Sequence, residues 1–403
     1  MLLFDKDILL IFQNVKQVTF FVNLEFRISL IGYDNLIIID HEVKAPGKQM
    51  SDNQKLTRKI KVGNVEIGGG APISVQSMTK TKTEDVPATV AQIRELAAAG
   101  CEIIRCAVPG EAAARALKEI IPQVNIPVVA DIHFNYRLAL MALEAGVAKI
   151  RINPGNIGSE DRVKAVLEAC GERGVPIRIG VNSGSLEADL LQKYGEATPE
   201  ALVESALRHV EICEKFDFRD ICISIKSSRV PLMIDAYRLL SEKTDYPLHL
   251  GVTEAGPTWT GTIKSAVGIG TLLSEGIGDT IRVSLTGDPV EEVKAGKEIL
   301  KSLELAPMGV TIISCPTCGR LETPVLAKIA TELESALANV KKTLTVAVMG
   351  CAVNGPGEAS AADLGVACGK NEALLFKKGQ KLGKIPAEEI LPRLLKEIEK
   401  FEE

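Results

Sequence analysis

Aromatic residues are scarce in this chain, and positive charge is not in excess. Of 403 residues, ten are Phe, five are Tyr and one is Trp. The 47 Lys and Arg are outnumbered by 52 Asp and Glu, which gives a formal net charge of −5. Proteins that bind single-stranded nucleic acid stack bases on aromatic side chains, and nucleic-acid-binding surfaces in general are basic. The composition therefore argues against a nucleic acid partner.

Long hydrophobic runs are also lacking. A membrane-spanning helix needs about 20 consecutive apolar residues. The most apolar segment, residues 8–40, is interrupted by Asn, Gln, Lys, Glu, Arg and Asp. It has neither the basic start nor the small-residue cleavage site of a signal peptide. The sequence therefore predicts a protein without a membrane span.

A disulfide framework is not indicated either. The chain has nine cysteines, an odd number spread over a long sequence, whereas disulfide scaffolds are short and dense in cysteine. We expect a cytoplasmic protein with mostly free thiols and a few metal ligands. Five cysteines are expected to be small buried hydrophobic residues: Cys101, Cys106, Cys170, Cys213 and Cys222.

Eight short apolar runs alternate with helical patterns along most of the chain. They cover residues 73–77, 103–108, 127–133, 148–153, 176–182, 221–226, 247–253 and 279–285. Seven of them have the continuous Val, Ile, Leu and Ala character of strands buried on both faces. No dinucleotide-binding Gly fingerprint follows the first run. The pattern predicts an α/β fold with a (β/α)8 TIM-type barrel over residues 55–305, with a doubly wound open sheet as the alternative.

A break that contains Pro and Gly, at residues 304–309, separates the predicted barrel from a smaller α+β domain over residues 306–403. The expected elements of this domain are a strand at 310–314, a helix at 321–340, a strand at 344–350, a loop at 354–359, strands near 364–369 and 372–379, and a helix at 386–401. The smaller domain contains the most informative cysteines.

Cys315 and Cys318 form a Cys-x-x-Cys pair, and Cys351 follows after 32 further residues. Both segments follow a predicted strand, so two neighbouring strands would bring three thiolates to one edge of a sheet. A zinc site needs a fourth Cys or His, but no His lies beyond His249 and Cys368 stands alone. A redox dithiol would leave Cys351 unexplained, and an iron–sulfur cluster usually takes four ligands. The residues by themselves leave these three interpretations open.

Polar side chains occur at the ends of the predicted barrel strands, where active sites of this fold lie. Five of them are cations without matching acids, and such a set suits a multiply charged anion. They are Arg105, Arg151, Arg178, Lys226 and Arg282. Each one alone could instead form a salt bridge to a neighbouring strand. The other polar candidates are Asp131, His133, Asn153, Asn182, Glu254 and Ser284. His209, on a predicted helix, and His249, inside a predicted strand, are expected to be structural.

Several long motifs occur in a fixed order. The C-terminal part contains SCPTCGR and VMGCAVNGPGEA, and the barrel part contains ADIHFNYRLAL, KIRINPGNIG, IRIGVNSGSL, LHLGVTEAG and GIGDTIRVSLTGDP. With these motifs, residues 55–400 resemble the family of bacterial 4-hydroxy-3-methylbut-2-enyl diphosphate synthases of the non-mevalonate isoprenoid route. The short connection between the two parts resembles the two-domain bacterial form and not the plant form, which has an inserted domain.

The resemblance implies a [4Fe–4S] cluster and identifies its ligands by their positions in the motifs: Cys315, Cys318, Cys351 and Glu358. It implies 2-C-methyl-D-erythritol 2,4-cyclodiphosphate as the substrate, bound through its diphosphate by the barrel residues. The substrate-binding set is Arg105, Arg151, Asn153, Arg178, Asn182, Lys226, Arg282 and Ser284, and the catalytic set is Glu254, His133 and Asp131. Among these, Glu254 matches the position of an essential carboxylate.

The reaction implied by the resemblance is a reductive ring opening with loss of a hydroxyl as water. The two electrons would come from reduced flavodoxin or ferredoxin. A head-to-tail homodimer is also implied, in which the cluster of one chain caps the barrel of the other. The alternative is a phosphate-binding barrel enzyme or scaffold with a structural zinc module, which does not account for both C-terminal motifs together.

The first 54 residues form a predicted N-terminal extension without function. The segment after Met50 looks like a natural protein start, so we expect residues 1–49 to derive from an upstream start codon assignment. Mass spectrometry of the native protein should then find an N-terminus near Met50. Detection of residue 1 in the native protein would contradict this expectation.

Overall fold

The computed structural model describes residues 28–31, 36–39, 55–306, 309–337, 340 and 342–401. The chain forms two units, Met1–Asp52 and Asn53–Glu403. In the first unit, strands β1 (Ile28–Ile31) and β2 (Leu36–Ile39) pair antiparallel. The other residues of the predicted extension, 1–54, lie outside the described part of the chain.

The second unit begins with an antiparallel hairpin, β3 (Ile60–Val62) and β4 (Val65–Ile67). Eight parallel strands follow: β5 (Ser74–Met78), β6 (Ile103–Ala107), β7 (Val128–Asp131), β8 (Lys149–Arg151), β9 (Ile177–Asn182), β10 (Ile221–Lys226), β11 (His249–Leu250) and β12 (Thr280–Ile281). Each lies within one of the eight predicted runs or overlaps it.

The eight strands close into a barrel. Their order in the sheet is β10-β9-β8-β7-β6-β5-β12-β11. A parallel bridge between Ile223 of β10 and Leu248, just before β11, joins the two ends. The Ile223 N–H also donates to the carbonyl oxygen of Pro247 at 2.9 Å. The prediction of a (β/α)8 barrel is therefore confirmed, and the open-sheet alternative is wrong.

Helices follow the strands and cover the outside of the barrel. They are α1 (Val86–Ala98), α2 (Glu111–Ile120), α3 (Tyr136–Ala145), α4 (Glu160–Arg173), α5 (Ala188–Tyr194), α6 (Pro199–Lys215), α7 (Val230–Lys243), α8 (Thr258–Ser274) and α9 (Pro289–Ser302). Local signals fix several ends: the Asp85 side chain accepts from the Ala88 N–H at 3.2 Å, and α3 and α4 end at left-handed Gly146 and Gly174.

The main core lies between the barrel and its helices. In α1, Val90, Ile93 and Leu96 recur every three residues and are buried in this core. Outward-facing strand residues such as Ile150 and Ile223 meet them from the other side. Each fully buried aliphatic side chain contributes roughly 1.5–3 kcal/mol. This outer layer, and not the barrel interior, therefore supplies most of the hydrophobic stabilisation.

The hairpin of β3 and β4 closes the amino end of the barrel. Its apolar residues pack against Ile103, Val129 and Cys222, which lie at or next to the first residues of β6, β7 and β10. The opposite, carboxyl end carries the strand-to-helix loops and is the end where barrel active sites lie.

The C-terminal part is a five-stranded sheet with three helices. Its elements are β13 (Val310–Ser314), α10 (Leu326–Leu337), β14 (Leu344–Met349), α11 (Gly355–Ala361), β15 (Leu364–Cys368), β16 (Glu372–Lys377), β17 (Gln380–Pro386) and α12 (Ile390–Glu399). The sheet order follows the chain from β13 to β17, with two parallel pairs and then two antiparallel pairs. One core, which includes α10 and α12, and a smaller one at α11 pack on this sheet.

Two elements of this part differ from the sequence predictions. Residues 354–359 were predicted as a loop, but Gly355–Ala361 form α11. Pro356 lies in its first turn, where a missing backbone N–H costs nothing because it has no intrahelical partner. Strand β17 was not predicted, since it is a largely exposed edge strand with two Lys and one Gly among its seven residues. No helix in the described part of the chain is long and apolar enough to cross a membrane.

Gly365→Ala should destabilise the protein by about 1–3 kcal/mol, as overpacking does. A Cβ at Gly365 would lie 2.4 Å from the carbonyl oxygen and 2.7 Å from the Cα of Ala359. These are backbone atoms of α11, which cannot rotate away. The urea midpoint of unfolding measures the effect.

The matched control is Gly357→Ala on α11, where an added Cβ meets nothing within 4 Å and Ala favours the helix over Gly. This control should unfold at the wild-type midpoint or above it. Equal midpoints for the wild-type protein and Gly365→Ala would contradict the close contact between α11 and β15.

Candidate functional site

The inward-facing positions of several barrel strands carry charge. On β8, Lys149 and Arg151 flank Ile150, which belongs to the outer core. Because side chains alternate across a strand, both cations face the barrel interior. On β10, Lys226 alternates in the same way with Ile225. Most TIM barrels fill this space with branched apolar residues, so the charged interior points to a ligand.

The five cations predicted from the sequence lie close to one another. Lys226 is 6% exposed, and burial lowers the pKa of its ammonium group well below the usual value. Neighbouring positive charges lower that pKa further, and they are the four predicted arginines: Arg282, Arg178, Arg105 and Arg151. The structure thus brings together residues from β6, β8, β9 and β10 and from the end of β12.

Asp131 is the countercharge of two of these arginines. Its carboxylate lies 3.8 Å from Nε of Arg105 and 3.6 Å from Nη1 of Arg151. Burial raises the pKa of Asp131, but the positive charges of the arginines outweigh this effect and leave the pKa below its usual value. Asp131 is therefore ionised at neutral pH and holds two guanidinium groups at the end of the barrel.

Arg282 has a different partner, which sequence reasoning missed. Its Nη2 lies 3.7 Å from the carboxylate of Glu292 on α9. Glu292 is 2% exposed and also accepts hydrogen bonds from the Leu285 N–H at 3.0 Å and from Oγ of Ser77 at 3.3 Å. In the sequence Glu292 is indistinguishable from Glu291, because only the orientation of α9 decides which of the two faces inward.

Several donors of the cation cluster have no partner. Arg178 is fully buried, and its Nη1 donates to Oγ of Ser224 at 2.7 Å. Among the described residues nothing accepts from its Nε and Nη2, or from Nζ of Lys226. An unsatisfied buried donor costs about 1–3 kcal/mol, and more if it is charged. These N–H groups are therefore available to phosphate oxygens.

The remaining predicted binding residues lie at the same end of the barrel. Asn153 donates to the Gly180 carbonyl at 3.0 Å and accepts from the Gly180 N–H at 2.9 Å. Through these two bonds Asn153 links the end of β8 to β9. Arg151 donates to the same carbonyl at 3.0 Å. Asn182 and Ser284 are half-buried at strand ends.

Glu254 and His133 lie on exposed loops at the carboxyl end of the barrel. Within the described residues, neither side chain forms a hydrogen bond or an ion pair. Glu254 has a φ of +51°, a left-handed conformation that is uncommon for non-Gly residues and occurs at active sites among other places. Glu254 is therefore free to meet a bound molecule, whereas His133 also lies near Asp131, whose pKa its charge lowers.

Sequence analysis did not identify three inward-facing residues as candidates for the site. Lys149 and Gln76 were not singled out, and His249 was expected to be structural. Both ring nitrogens of His249 are buried without a partner in the described part of the chain, and burial lowers its pKa well below the usual value. The alternation of Lys149, Arg151 and Asn153 could have identified Lys149 from the sequence, since alternate residues of a strand face the same side.

The three predicted cysteine ligands line one cavity of about 120 Å³ in the C-terminal part. Cys315 and Cys318 follow β13, and Cys351 follows the parallel neighbour β14. Arg320 and Asn354 line the same cavity. The expectation that two adjacent strand ends gather three thiols is therefore met.

Two of these thiols are biased toward the thiolate, the form that binds metal. Backbone N–H groups of residues 353–355 lower the pKa of Cys351. Backbone and side-chain hydrogen bonds from Arg320 lower the pKa of Cys318. By contrast, burial raises the pKa of Cys368 to about 11. The barrel cysteines are also buried, as expected: Cys101, Cys106, Cys170, Cys213 and Cys222.

Thiolates are ligands of both zinc and iron–sulfur clusters, so the donors of this cavity fit either group. In the described ranges no three Cys, His, Asp or Glu side chains are grouped closely enough to hold one metal ion. Glu358 is exposed and does not line the cavity, but it follows Asn354 by four residues on the same face of α11.

Two domain families match the chain. Residues 57–297 match the GcpE TIM-barrel domain, and residues 311–400 match the GcpE protein C-terminal domain. Among solved structures, the dihydropteroate synthase of Yersinia pestis has a TM-score of 0.45 at 13% identity, and covers 61% of this chain and 98% of that one.

Curated relatives match over almost their whole length. The 4-hydroxy-3-methylbut-2-en-1-yl diphosphate synthase (flavodoxin) of Clostridium perfringens is 62% identical over 347 residues, which cover 86% of this chain and 99% of the relative. The proteins of the same name from Caldanaerobacter subterraneus and Geobacter sulfurreducens are 61% and 58% identical, and each match covers 86% of this chain and 98% of the relative.

Proposed function

The chain belongs to the GcpE family, and from this membership we propose that it is a 4-hydroxy-3-methylbut-2-en-1-yl diphosphate synthase. The reaction is the reductive dehydroxylation and ring opening of 2-C-methyl-D-erythritol 2,4-cyclodiphosphate to 4-hydroxy-3-methylbut-2-enyl diphosphate. It consumes two electrons and two protons and releases one water. The enzyme is an oxidoreductase that takes its electrons from flavodoxin. Identity of about 60% to curated relatives over both parts of the chain carries this conclusion.

We propose that the barrel cations bind the cyclic diphosphate. The support is the set of unpaired donors on Arg178 and Lys226 beside three further arginines. Phosphate oxygens would accept these N–H groups and relieve the repulsion between the cations. When a ring C–O bond breaks, negative charge grows on the departing phosphate oxygen, and fixed cations stabilise it there. The barrel thus binds the substrate and assists its leaving group.

The three predicted catalytic residues have different environments. Asp131 is ionised and bridges Arg105 and Arg151, which supports a positioning role for it. Glu254 and His133 are exposed at the mouth without a hydrogen bond or an ion pair in the described residues, and this supports proton transfer to the substrate. We assign Glu254 as the acid/base group, because it is an exposed carboxylate at the carboxyl end of the barrel without an ion-pair partner in the described residues.

We propose that the C-terminal cavity holds a [4Fe–4S] cluster through Cys315, Cys318 and Cys351, with Glu358 as an exchangeable fourth ligand. The support is the three thiols around one cavity and the N–H groups that favour the thiolates of Cys318 and Cys351. When bound, such a cluster supplies electrons one at a time. Arg320 balances part of the thiolate charge, and α11 carries Glu358 beside the cavity.

Separate apolar cores support the domain assignment. We propose a substrate-binding domain over residues 55–305 and a cluster domain over residues 306–403, each with its own apolar core. Residues 1–54 add no function in this proposal. We also propose a cytoplasmic location, where reduced flavodoxin or ferredoxin can deliver electrons, and a head-to-tail homodimer in which one chain's cluster faces the other chain's barrel.

Anaerobically purified protein should be brown and contain about four irons per chain. Glu358→Ala should keep most of its iron but lose turnover of the cyclic diphosphate with reduced flavodoxin by about 10-fold or more. Cys351→Ser should lose the cluster, whereas Cys368→Ser should keep it, because Cys368 does not line the cavity. Visible absorption, iron content and turnover measure these outcomes.

Colourless protein with one zinc per chain would instead support the structural zinc alternative. Brown protein that fails to reduce the cyclic diphosphate would support the proposed cluster but contradict the cyclic diphosphate as the substrate.

Mixing two inactive variants should restore activity if the dimer is head-to-tail. Lys226→Met disables the barrel, and Cys351→Ser disables the cluster. In a mixed dimer one of the two composite sites keeps an intact barrel and an intact cluster. Random exchange makes half of the dimers mixed, so about a quarter of wild-type turnover should return.

The control pairs Cys351→Ser with Cys315→Ser, which leaves no intact cluster in any dimer and should give no activity. If tagged variants form mixed dimers and Lys226→Met with Cys351→Ser still gives none, each barrel works with the cluster of its own chain.

A further inference from the structure

Lys149 is a buried lysine outside the substrate-binding set described above. It is the first residue of β8, and its side chain is fully buried. It faces the barrel interior two residues before Arg151, which places it about 6.6 Å further from the mouth along the strand. Its Nζ lies 3.4 Å from Oε1 of Gln76 on β5. Within the described ranges it has no carboxylate partner.

Apart from Asp131 on β7, whose carboxylate already pairs with Arg105 and Arg151, the groups that face Lys149 from the neighbouring strands are positive or neutral. They are Gln76 on β5, Arg105 on β6, Arg178 on β9, Cys222 on β10 and His249 on β11. Burial lowers the pKa of Lys149 to about 8; Cys222 opposes this shift, and the two arginines add to it. His249 is neutral, because burial lowers its own pKa as well.

A purely structural role does not account for a lysine at this position. A long hydrogen bond to the neutral amide of Gln76 compensates poorly for a buried ammonium group, and an apolar side chain of similar length would fill the same space. The wider interior has the same deficit, since donors of Arg178 and Lys226 are also unpaired. What the interior lacks is negative charge, and a bound diphosphate supplies it.

We propose that Lys149 is a further anion-binding residue of the barrel, a second layer of positive charge beneath the mouth that gains a proton when a diphosphate binds above it. The proton comes from solvent and converts the neutral amine to the ammonium form. The identity of the anion rests on the proposed function. The anion offsets the repulsion from Arg105 and Arg178, so the protonated form of Lys149 becomes favoured.

Titration calorimetry of the cluster-loaded protein with the cyclic diphosphate, without reductant, tests this inference. If binding raises the pKa of Lys149 by one unit, about half a proton is taken up at pH 8.5, measured from the heats in buffers of different ionisation enthalpy. Affinity is then about tenfold higher at pH 7 than at pH 10 from this residue alone. Lys149→Met should bind about tenfold more weakly at pH 7 and like the wild type at pH 10.

Lys118→Met, at an exposed position on α2, removes one lysine charge outside the barrel and should leave affinity and proton uptake unchanged. Thermal unfolding checks the folding of Lys149→Met. The folded wild type loses the Lys149 proton near pH 8, whereas the unfolded chain keeps it to about pH 10.5. The variant should therefore be more stable than the wild type at pH 7, and the difference in unfolding temperature should disappear as the pH rises to 10.5.

Equal proton uptake and equal pH dependence in the wild type and Lys149→Met would overturn the inference and leave Lys149 a structural residue. If the cyclic diphosphate does not bind at all, the proposed function fails. Inorganic pyrophosphate then serves as the probe for Lys149 by itself. The same loss of proton uptake in Lys149→Met supports the inference for that anion, and a wild type that does not bind pyrophosphate refutes it.

Discussion

Unbalanced positive charge inside the barrel is the constraint on which the other features depend. Lys226 and Arg178 are buried with unpaired donors, and Asp131 and Glu292 balance only part of the charge. Buried charge without a partner destabilises a fold. The chain tolerates it because its hydrophobic stabilisation comes from elsewhere, from the layer between strands and helices and from the hairpin that closes the amino end.

The C-terminal part must stabilise negative charge instead of positive charge, and it does so with groups that lie next to the cysteines. Thiolates carry negative charge, and backbone N–H groups at the start of α11 together with Arg320 stabilise it. The position of α11 is fixed because Gly365 lets its backbone approach β15 closely. In the proposed function the cationic barrel would bind the diphosphate and the cavity lined by cysteines would hold the group that delivers electrons to it.

Sequence reasoning succeeded where a residue's role follows from its neighbours in the chain. The eight barrel strands were found because strands buried on both faces are continuously apolar, and the cations at their ends because strand ends converge in this fold. It failed at residues 354–359, where Gly and Pro suggested a loop and the chain forms α11. It also overlooked Lys149, whose inward direction follows from alternation with Ile150 but whose burial does not.

The sequence by itself determined the barrel, the smaller α+β part, the three clustered cysteines and the family, because strand periodicity, motif order and spacing are local properties of the chain. Only the tertiary structure decided which charges are partnered. Glu292 on α9 pairs with Arg282 at the end of β12, Asp131 joins two strands, and Lys149 lies near Arg178 and Arg105 without a carboxylate partner in the described residues. These pairings depend on how the strands and helices pack, and the pKa shifts of the buried groups arise from the resulting distances.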